Sequence, residues 1–320
     1  MGYETVLVIG GSGFIGSHVV KKLVDAGKYV TVPTRRRERA KHLLPLPTVD
    51  VVEGDISTVF LEHLIAEHDA VINLVGILHS RQGVPFGVDF ERAHVELPAR
   101  IVTALAEKIT LPQPRYLHMS ALGAASNGPS MYLRSKAAGE AAALSESSVA
   151  TTIFRPSVVF GYEDQFLNMF ASMQARLPIM PLAGARTRFQ PIFVEDVAQA
   201  FVNALDNSVT FGKTYELAGT KVYTLQELVE MAGRASGHPR PVIPLPDALG
   251  RLQAWLLEHL PGQLMSRDNL DSMKVDNVAN QPLAKELNVQ LHALADIAPL
   301  YLAGAHPRTR MDEYRKTAHR

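Results

Sequence analysis

Tyr132 and Lys136 are the residues of this chain whose types and spacing point most directly to proton transfer. On a helix, residues four positions apart share a face, with about 5–6 Å between their Cβ atoms. A tyrosine hydroxyl has a reference pKa of ~10, and we expect the Lys136 ammonium to lower the pKa of Tyr132 towards neutrality. Ser120 lies at the predicted end of a strand, where its hydroxyl could hold a substrate oxygen. These three residues are the candidate catalytic group.

A glycine-rich turn near the N-terminus indicates a phosphate-binding site. Gly10, Gly13 and Gly16 follow an apolar run, Thr5–Ile9, and open a helical pattern. Glycines so placed permit, in order, a tight turn, close approach of the backbone to a pyrophosphate, and close packing of helix on strand. The free N–H groups at the start of the helix, at Phe14–Ile15, and the helix dipole both favour an anion. The pattern therefore predicts a dinucleotide-binding turn.

The residues after the second predicted strand indicate which dinucleotide binds. An NAD site usually has an acidic residue about 20 positions after the glycine turn, but Arg35–Arg37 stand there and the first carboxylate is Glu38. Guanidinium groups can pair bidentately with a 2′-phosphate. We therefore predict NADP(H) in preference to NAD(H), with Arg35 as the phosphate partner; a solvated basic loop is the alternative. Asp55, followed by Ile56, ends the third predicted strand and is expected to accept a hydrogen bond from the adenine amino group.

Strand and helix patterns alternate along the first half of the chain. Apolar, β-branched runs predict strands at Thr5–Ile9, Tyr29–Val32, Val49–Val52, Ala70–Val75, Tyr116–Met119 and Thr152–Phe154. Helical patterns separate them, including Leu61–His68, Glu91–Lys108 and Tyr132–Leu144. Such alternation is typical of βαβ units and a parallel sheet. The predicted fold class is α/β, a Rossmann-type doubly wound parallel sheet with a smaller, mostly helical C-terminal lobe.

The domain organisation follows from a change of composition after Pro156, where prolines become denser and helices dominate. We predict a dinucleotide-binding domain over 1–160, to which the chain returns around 189–206. Residues 161–304 form the smaller substrate or partner lobe. Residues 305–320 form a basic tail, which we expect to be solvated; contact with an acidic partner or an anionic membrane surface is the alternative.

Composition and charge exclude several other classes of protein. Of the 320 residues, 47% are hydrophobic and 20% are charged, as in ordinary globular proteins. Lysine plus arginine and aspartate plus glutamate both number 32, so the basic excess of a nucleic-acid binder is missing and no nucleic-acid partner is predicted. The chain has no cysteine, which excludes disulfides and thiolate chemistry. Its histidines lack the i, i+4 spacing of a helical zinc pair, and no metal site is predicted.

Several motifs together resemble the extended or atypical short-chain dehydrogenase/reductase superfamily, which includes the NAD(P)-dependent epimerases and dehydratases. They are the glycine turn, Asn73–Gly76, Ser120, Tyr132 with Lys136, and Arg155–Gly161. The resemblance implies cofactor contacts from two further segments, through Leu74, Val75, Gly76, Pro156, Ser157 and Val158. It also implies that Lys136 holds the nicotinamide ribose.

A narrower resemblance, carried by residues 160–173 and 189–197, is to the branch that contains the dehydrogenase-like accessory subunit of respiratory complex I and its bacterial relatives. It implies an NADP(H)-dependent oxidoreductase whose substrate is a small molecule, a quinone or another carbonyl compound, linked to quinone or respiratory-chain metabolism. The sequence departs from the wider superfamily on the long helix before Ser120, where an asparagine is common and this chain has Ala93-His94-Val95. This puts a proton relay through that asparagine in doubt.

Two other functions stay open on the sequence. One is a non-catalytic, NADPH-binding structural or assembly subunit of a respiratory complex. The other is a sugar-nucleotide epimerase or dehydratase. It is the weaker alternative because epimerases typically hold NAD, whereas the Arg35 region predicts NADP(H). No apolar run approaches the ~18–20 residues of a membrane span, and strand-like sequence begins at Thr5 with no targeting pattern before it. We expect a bacterial cytoplasmic protein, with peripheral contact at the inner membrane or a respiratory complex as a further option.

Overall fold

The computed structural model describes residues 2–57, 59–108, 113–259 and 265–303. Its strands are β1 (Thr5–Ile9), β2 (Tyr29–Thr34), β3 (Val49–Glu53), β4 (Ala70–Asn73), β5 (Arg115–Met119), β6 (Ala150–Pro156), β7 (Val159–Phe160), β8 (Met180–Leu182), β9 (Arg188–Phe189), β10 (Ile192–Phe193), β11 (Thr214–Leu217), β12 (Tyr223–Thr224) and β13 (Val242–Pro244). The basic tail predicted for 305–320 lies outside the described residues.

The α-helices are α1 (Phe14–Asp25), α2 (Phe60–Ala66), α3 (Val88–Phe90), α4 (Leu97–Ala106), α5 (Met131–Ala143), α6 (Phe166–Arg176), α7 (Val194–Leu205), α8 (Leu225–Ala235), α9 (Asp247–Glu258), α10 (Arg267–Ser272) and α11 (Leu294–Leu302). A π-helix, Glu91–Glu96, connects α3 to α4. Short 3-10 helices span Arg37–Ala40, Ser208–Thr210 and Lys285–Leu287.

Seven strands form one parallel sheet in the order β3, β2, β1, β4, β5, β6, β11. The strand order reverses between β1 and β4, as in Rossmann folds, and ligands bind such sheets at the carboxyl ends of the strands near this point. Every residue of β4 and β5 is buried, which explains the apolar run of β4, whereas β5 also buries the polar residues Arg115 and His118. The predicted doubly wound parallel sheet is confirmed.

The two faces of the sheet are covered by different helices, because successive side chains of a strand point to opposite faces. On one face Leu7 and Ile9 of β1 pack with Ile153 of β6 and with apolar residues of α2 and α4. On the other face Phe154 packs against Phe201 of α7, with ring centroids 4.4 Å apart. This cover fixes the carboxyl ends of the strands, from which the candidate site residues project.

The chain divides into two compact units. Unit 1 comprises Met1–Pro156, Val194–Leu217 and Ala279–Gln290 and contains the whole parallel sheet. Unit 2 comprises Ser157–Phe193, Ala218–Val278 and Leu291–Arg320. Its described residues form five helices, α6 and α8 to α11, and three two-stranded sheets. The predicted smaller, mostly helical C-terminal part is confirmed.

The single helix predicted over Glu91–Lys108 is wrong in detail, because the segment consists of the π-helix and α4. Pro98 is among the first residues of α4, directly after the π-helix. The π-helix lies close against α5: a Cβ on Gly139 would overlap the carbonyl oxygen of His94. Glycine at position 139 therefore allows this contact.

Candidate active site

The glycine turn joins the end of β1 to the start of α1. Gly10 has a φ of +83°, a conformation that glycine adopts without steric cost, and its carbonyl accepts a hydrogen bond from the N–H of Gly13 at 3.1 Å. A Cβ on Gly16 would overlap this carbonyl and lie 2.6 Å from the Cα of Gly11. No described side chain caps α1, so the first N–H groups, including those of Phe14–Ile15, are available to an anion. Pyrophosphate binding here stays a prediction.

The arginines after β2 differ in how they are held. Arg37 is turned towards β3, where its Nη1 donates to the carbonyl of Val51 at 3.4 Å and its N–H donates to the Glu53 carboxylate at 3.3 Å. Arg35 directly follows β2 and is exposed, with no hydrogen bond from its side chain to any described residue. Arg35 is therefore the arginine of this group best placed to meet a ligand at the carboxyl end of the sheet.

Asp55 and Ile56 follow β3, beside Arg35. The N–H of Ser57 donates to Asp55 Oδ1 at 2.9 Å. This hydrogen bond, and more weakly the charge of Arg35, hold the pKa of Asp55 below its ordinary value. Ile56 packs on the core, and its carbonyl accepts a hydrogen bond from Arg100 Nη1 at 3.0 Å. Asp55 is thus an exposed carboxylate, and its contact with adenine stays a prediction.

Leu74–Gly76, the segment after β4, runs beside the glycine turn. A Cβ on Gly10 would lie 3.2 Å from the carbonyl carbon of Leu74 and 3.3 Å from the N of Val75. A Cβ on Gly76 would lie 3.5 Å from Lys136 Nζ. The structure therefore brings together the glycine turn, the segment after β4 and the lysine of the candidate catalytic group.

Lys136 and Tyr132 lie on α5, whose N-cap, Ser130, accepts a hydrogen bond from the N–H of Leu133. Lys136 is buried, and its Nζ donates to the carbonyl of Met119 at 3.1 Å. Burial lowers the pKa of Lys136 to about 8 and raises the pKa of Tyr132 to about 12. The expectation that Lys136 lowers the pKa of Tyr132 is wrong for this structure. Tyr132 is therefore a protonated phenol at neutral pH.

Ser120 follows β5 directly, and its N–H donates to the carbonyl of Phe154 at 2.7 Å. Its hydroxyl oxygen is buried and has no hydrogen-bond partner among the described residues. A buried hydroxyl without a partner is unfavourable, and a ligand oxygen would offset that cost. His118, two residues earlier on the same face of the sheet, also has a buried and unpartnered atom, Nε2.

Pro156, Ser157 and Val158 lie where the chain passes from unit 1 to unit 2. Pro156 is the last residue of β6 in unit 1. Within unit 2, the Ser157 hydroxyl and the Val158 N–H donate to Oδ1 of Asn277 at 2.6 and 3.0 Å. Asn277 therefore fixes both residues, and their contact with a nicotinamide stays a prediction.

Polar residues around the candidate pair were not predicted from the sequence as parts of the site. Ser135 and Glu140 are buried on α5, at the positions that face the π-helix and β6. His94 was noted only as a departure from the superfamily pattern. The helical spacing of Ser135 and Glu140 relative to Lys136 was the available signal, since neighbouring turns of one helix face the same elements.

The comparison with protein families agrees with this geometry. The model of the NAD dependent epimerase/dehydratase family matches residues 6–218. The chain belongs to the NAD dependent epimerase/dehydratase family. The predicted superfamily is therefore confirmed, and with it an oxidoreductase-like, dinucleotide-binding fold.

Known relatives place this family member more closely. Its sequence is 32% identical over 326 residues to subunit 9 of the NADH dehydrogenase [ubiquinone] 1 alpha subcomplex from Arabidopsis thaliana mitochondria, covering 97% of this chain and 77% of the relative. It is 31% identical over 248 residues to a ceramide reductase from Caulobacter vibrioides, covering 76% of this chain and 74% of the relative. The predicted resemblance to the complex I subunit branch is confirmed.

A solved structure supports the fold alone. MoeE5, determined in complex with UDP-glucose and NAD, aligns over 97% of this chain and 99% of its own with a TM-score of 0.72, at 18% sequence identity. Among the helices in the described part of this family member, none has the length and apolar character needed to cross a membrane.

Proposed function

We propose that this protein is an NADP(H)-dependent reductase of a carbonyl compound, with Tyr132 as the proton donor. The observation that carries the proposal is the buried Ser120 hydroxyl, which has no hydrogen-bond partner among the described residues and could meet a carbonyl oxygen. Tyr132 is a protonated phenol at neutral pH, as its ordinary pKa of ~10 requires, and burial raises that pKa further. It shares α5 with Lys136, whose Nζ donates a hydrogen bond to the carbonyl of Met119, the residue before Ser120. Site geometry and family membership support an enzyme.

The residues of this chain have separate roles in such a reaction. A bound NADPH supplies the hydride. The unpartnered Ser120 hydroxyl donates a hydrogen bond to the substrate carbonyl oxygen and orients it. Tyr132 then gives its proton to this oxygen as negative charge develops on it. We assign Lys136 to the cofactor: its Nζ, held by the Met119 carbonyl at 3.1 Å, would bind the nicotinamide ribose.

Three observations in unit 1 support a fit to NADP(H). Gly13 is crowded on one side only, since a Cβ there would meet the Gly10 carbonyl oxygen at 3.3 Å. The helix N-terminus beside it favours phosphate. Arg35 is exposed at the end of β2, where a guanidinium can pair with a 2′-phosphate. The preference for NADP(H) over NAD(H) is part of the proposal.

The names of relatives support the substrate class. One relative is a subunit of a NADH dehydrogenase [ubiquinone], and another is a ceramide reductase. We propose a quinone or another lipid-like carbonyl compound as substrate, and a place at the inner face of a bacterial membrane or beside a respiratory complex. This reading leaves a sugar-nucleotide epimerase as the weaker alternative, because Arg35 stands where an NAD site has its acidic residue.

The test compares Tyr132→Phe with the unaltered protein and with Tyr29→Phe, an exposed tyrosine at the opposite end of the sheet. NADPH oxidation is measured against a panel of quinones and other ketones. We expect Tyr132→Phe to keep the Kd for NADPH within about threefold and to lower turnover by ~10²-fold or more. Tyr29→Phe should change neither. Equal turnover in all three proteins would contradict the assignment of Tyr132.

The second candidate function is a non-catalytic NADPH-binding subunit, favoured by similarity to a complex I subunit over 97% of the chain. In that case Tyr132→Phe changes nothing measurable. Lys136→Ala then lowers the melting temperature only when NADPH is present, because a bound ligand stabilises the fold by mass action. Tight NADPH binding with no turnover of any ketone in the unaltered protein would favour this candidate.

A further inference from the structure

His94 lies in the π-helix, in the interior of unit 1, with 1% of its surface exposed. Its ring stacks on Phe90, with centroids 5.2 Å apart and planes 20° apart. The Tyr132 ring makes a T-shaped contact with it, at 5.7 Å between centroids and 81° between planes. His94 is thus held between Phe90, the last residue of α3, and the candidate proton donor.

The two ring nitrogens of His94 have different partners, and these partners determine the position of its proton. The N–H of Ile77 lies 3.1 Å from Nε2 and can only donate, so Nε2 is an acceptor. The Ser135 hydroxyl lies 2.8 Å from Nδ1 and gives its own hydrogen to the Tyr132 carbonyl at 2.8 Å. Nδ1 must therefore carry the proton and donate it to Ser135. Every hydrogen-bonding group of the ring is used.

A proton on both nitrogens would place Nε2–H against the N–H of Ile77. The environment of the ring also disfavours this second proton. Burial, and then the charges of Lys136 and His118, lower the pKa of His94 to about 2. His94 is consequently a neutral, fixed ring rather than an acid or base of the reaction.

The two partners belong to the two parts of the candidate site. Ile77 directly follows Leu74–Gly76, the segment that contacts the glycine turn and Lys136. Ser135 lies on α5 between Tyr132 and Lys136. A single rigid ring thus spans from the segment after β4 to the helix that carries the catalytic pair.

We propose that His94 is a positioning residue, which holds the segment after β4 and the Tyr132-bearing helix in one fixed arrangement. Its effect on local order stands independently, while its effect on turnover rests on the proposed function. An imidazole suits this task because its acceptor and its donor lie on different sides of a rigid ring, whereas asparagine carries both on one short amide.

Variants of His94 separate the two hydrogen bonds. His94→Gln places an amide oxygen near the position of Nε2 and can accept from Ile77, while His94→Asn places an amide N–H near Nδ1 and can donate to Ser135. His94→Phe keeps the ring and removes both. The matched control is His68→Phe, since His68 is also buried and bridges the Leu64 carbonyl and the Thr31 hydroxyl, away from the carboxyl ends of the strands.

The first readout is amide hydrogen exchange at Ile77, followed by NMR together with the nitrogen shifts of the His94 ring. We expect the unaltered protein to show Nδ1–H and a slowly exchanging Ile77. Exchange should become at least about tenfold faster in His94→Phe and His94→Asn, recover in His94→Gln, and stay slow in His68→Phe. Unchanged exchange in His94→Phe, or an Nε2–H ring in the unaltered protein, would overturn the proposal.

The second readout is steady-state kinetics with NADPH and the best ketone. Loss of alignment should lower kcat by about 10- to 100-fold in His94→Phe, with a smaller change in KM, partial recovery in His94→Gln, and no kcat loss in His68→Phe. An equal kcat loss in His68→Phe would mean a general effect of stability and would contradict positioning. If the unaltered protein has no turnover, the proposed function fails, while exchange at Ile77 still decides whether His94 holds this segment.

Discussion

Arg155 of β6 and Glu140 of α5 form a paired contact, with Nε and Nη2 of the guanidinium 2.7 and 2.5 Å from the two carboxylate oxygens. Such a fork-on-fork pair fixes the orientation of both groups. Glu140 lies one helical turn after Lys136, and its negative charge raises the pKa of Lys136 against the larger effect of burial. The contact therefore anchors the helix that carries Tyr132 and Lys136 and helps to keep the lysine charged.

The first prediction concerns this charge. In Glu140→Gln the carboxylate no longer favours the ammonium, so the pKa of Lys136 should fall below about 8. The upper pH limit of NADPH binding should then move down by about one unit. Titration calorimetry across this pH range measures the shift. The same limit in both proteins would mean that a group other than Lys136 controls it.

The second prediction concerns stability. The pKa of Lys136 falls from 10.5 to about 8 because of burial, so between these values the unfolded chain binds more protons and stability rises with pH. Below pH 8 the buried ammonium is a net cost to the fold. Lys136→Met should therefore raise the free energy of unfolding at pH 7 by roughly 1–3 kcal/mol; under the proposed function it should also abolish turnover.

Urea denaturation at neutral and at alkaline pH tests this sign. The matched control is Lys28→Met, because Lys28 is also buried but pairs with Asp206 at 2.9 Å. The Lys28→Met protein should be less stable than the unaltered protein, because the Asp206 carboxylate loses its partner. A Lys136→Met protein less stable than the unaltered one at both pH values would show that the bond to Met119 outweighs the cost of burying the charge.

The sheet could be predicted because β1 and β4 at its centre are buried and read as apolar runs, and because strand and helix patterns alternate along the chain. The strand β11 was missed: its four residues, Thr214–Leu217, include a threonine and a glutamate and alternate in exposure at the sheet edge. The π-helix was missed because one wider turn does not change a helical pattern of 3.6 residues enough to be recognised.

The placement of the candidate residues on α5 could be predicted, but the polar residues and the electrostatics around them could not. The spacing of Tyr132 and Lys136 is local, and α5 places them as expected. The pKa of Tyr132 depends on burial by Phe90 and His94, which are about forty positions away along the chain and reach it only through the fold. The spacing of Tyr132 and Lys136 in the sequence indicates that a charge is nearby, but it does not show how deeply the Tyr132 ring is buried.

The third prediction concerns cofactor choice. Arg35 is exposed and its guanidinium is not held by another described side chain, whereas Arg37 is tied to β3. Arg35→Ala should reduce the difference in binding free energy between NADPH and NADH by roughly 1–3 kcal/mol, and Arg37→Ala should reduce it much less. Calorimetry with both cofactors gives the difference. Equal affinities for NADPH and NADH in the unaltered protein would remove the role assigned to Arg35.

The last prediction separates two glycines of one turn. A Cβ on Gly16 would overlap the Gly10 carbonyl, so Gly16→Val should lower the melting temperature strongly even without cofactor. Gly13 has a φ of −82°, which any residue adopts, and a Cβ there would meet the same carbonyl at 3.3 Å. Gly13→Val should therefore fold and melt near the unaltered protein.

The two variants should differ in what NADPH does to them. The branched side chain of Gly13→Val occupies the place that a pyrophosphate would take beside the helix N-terminus, so NADPH should no longer raise the melting temperature. Thermal unfolding with and without NADPH, supported by circular dichroism, measures both effects. If NADPH still raised the melting temperature of Gly13→Val, the glycine turn would not be the binding site for the pyrophosphate. Normal stability of Gly16→Val would contradict the close packing of α1 on the turn.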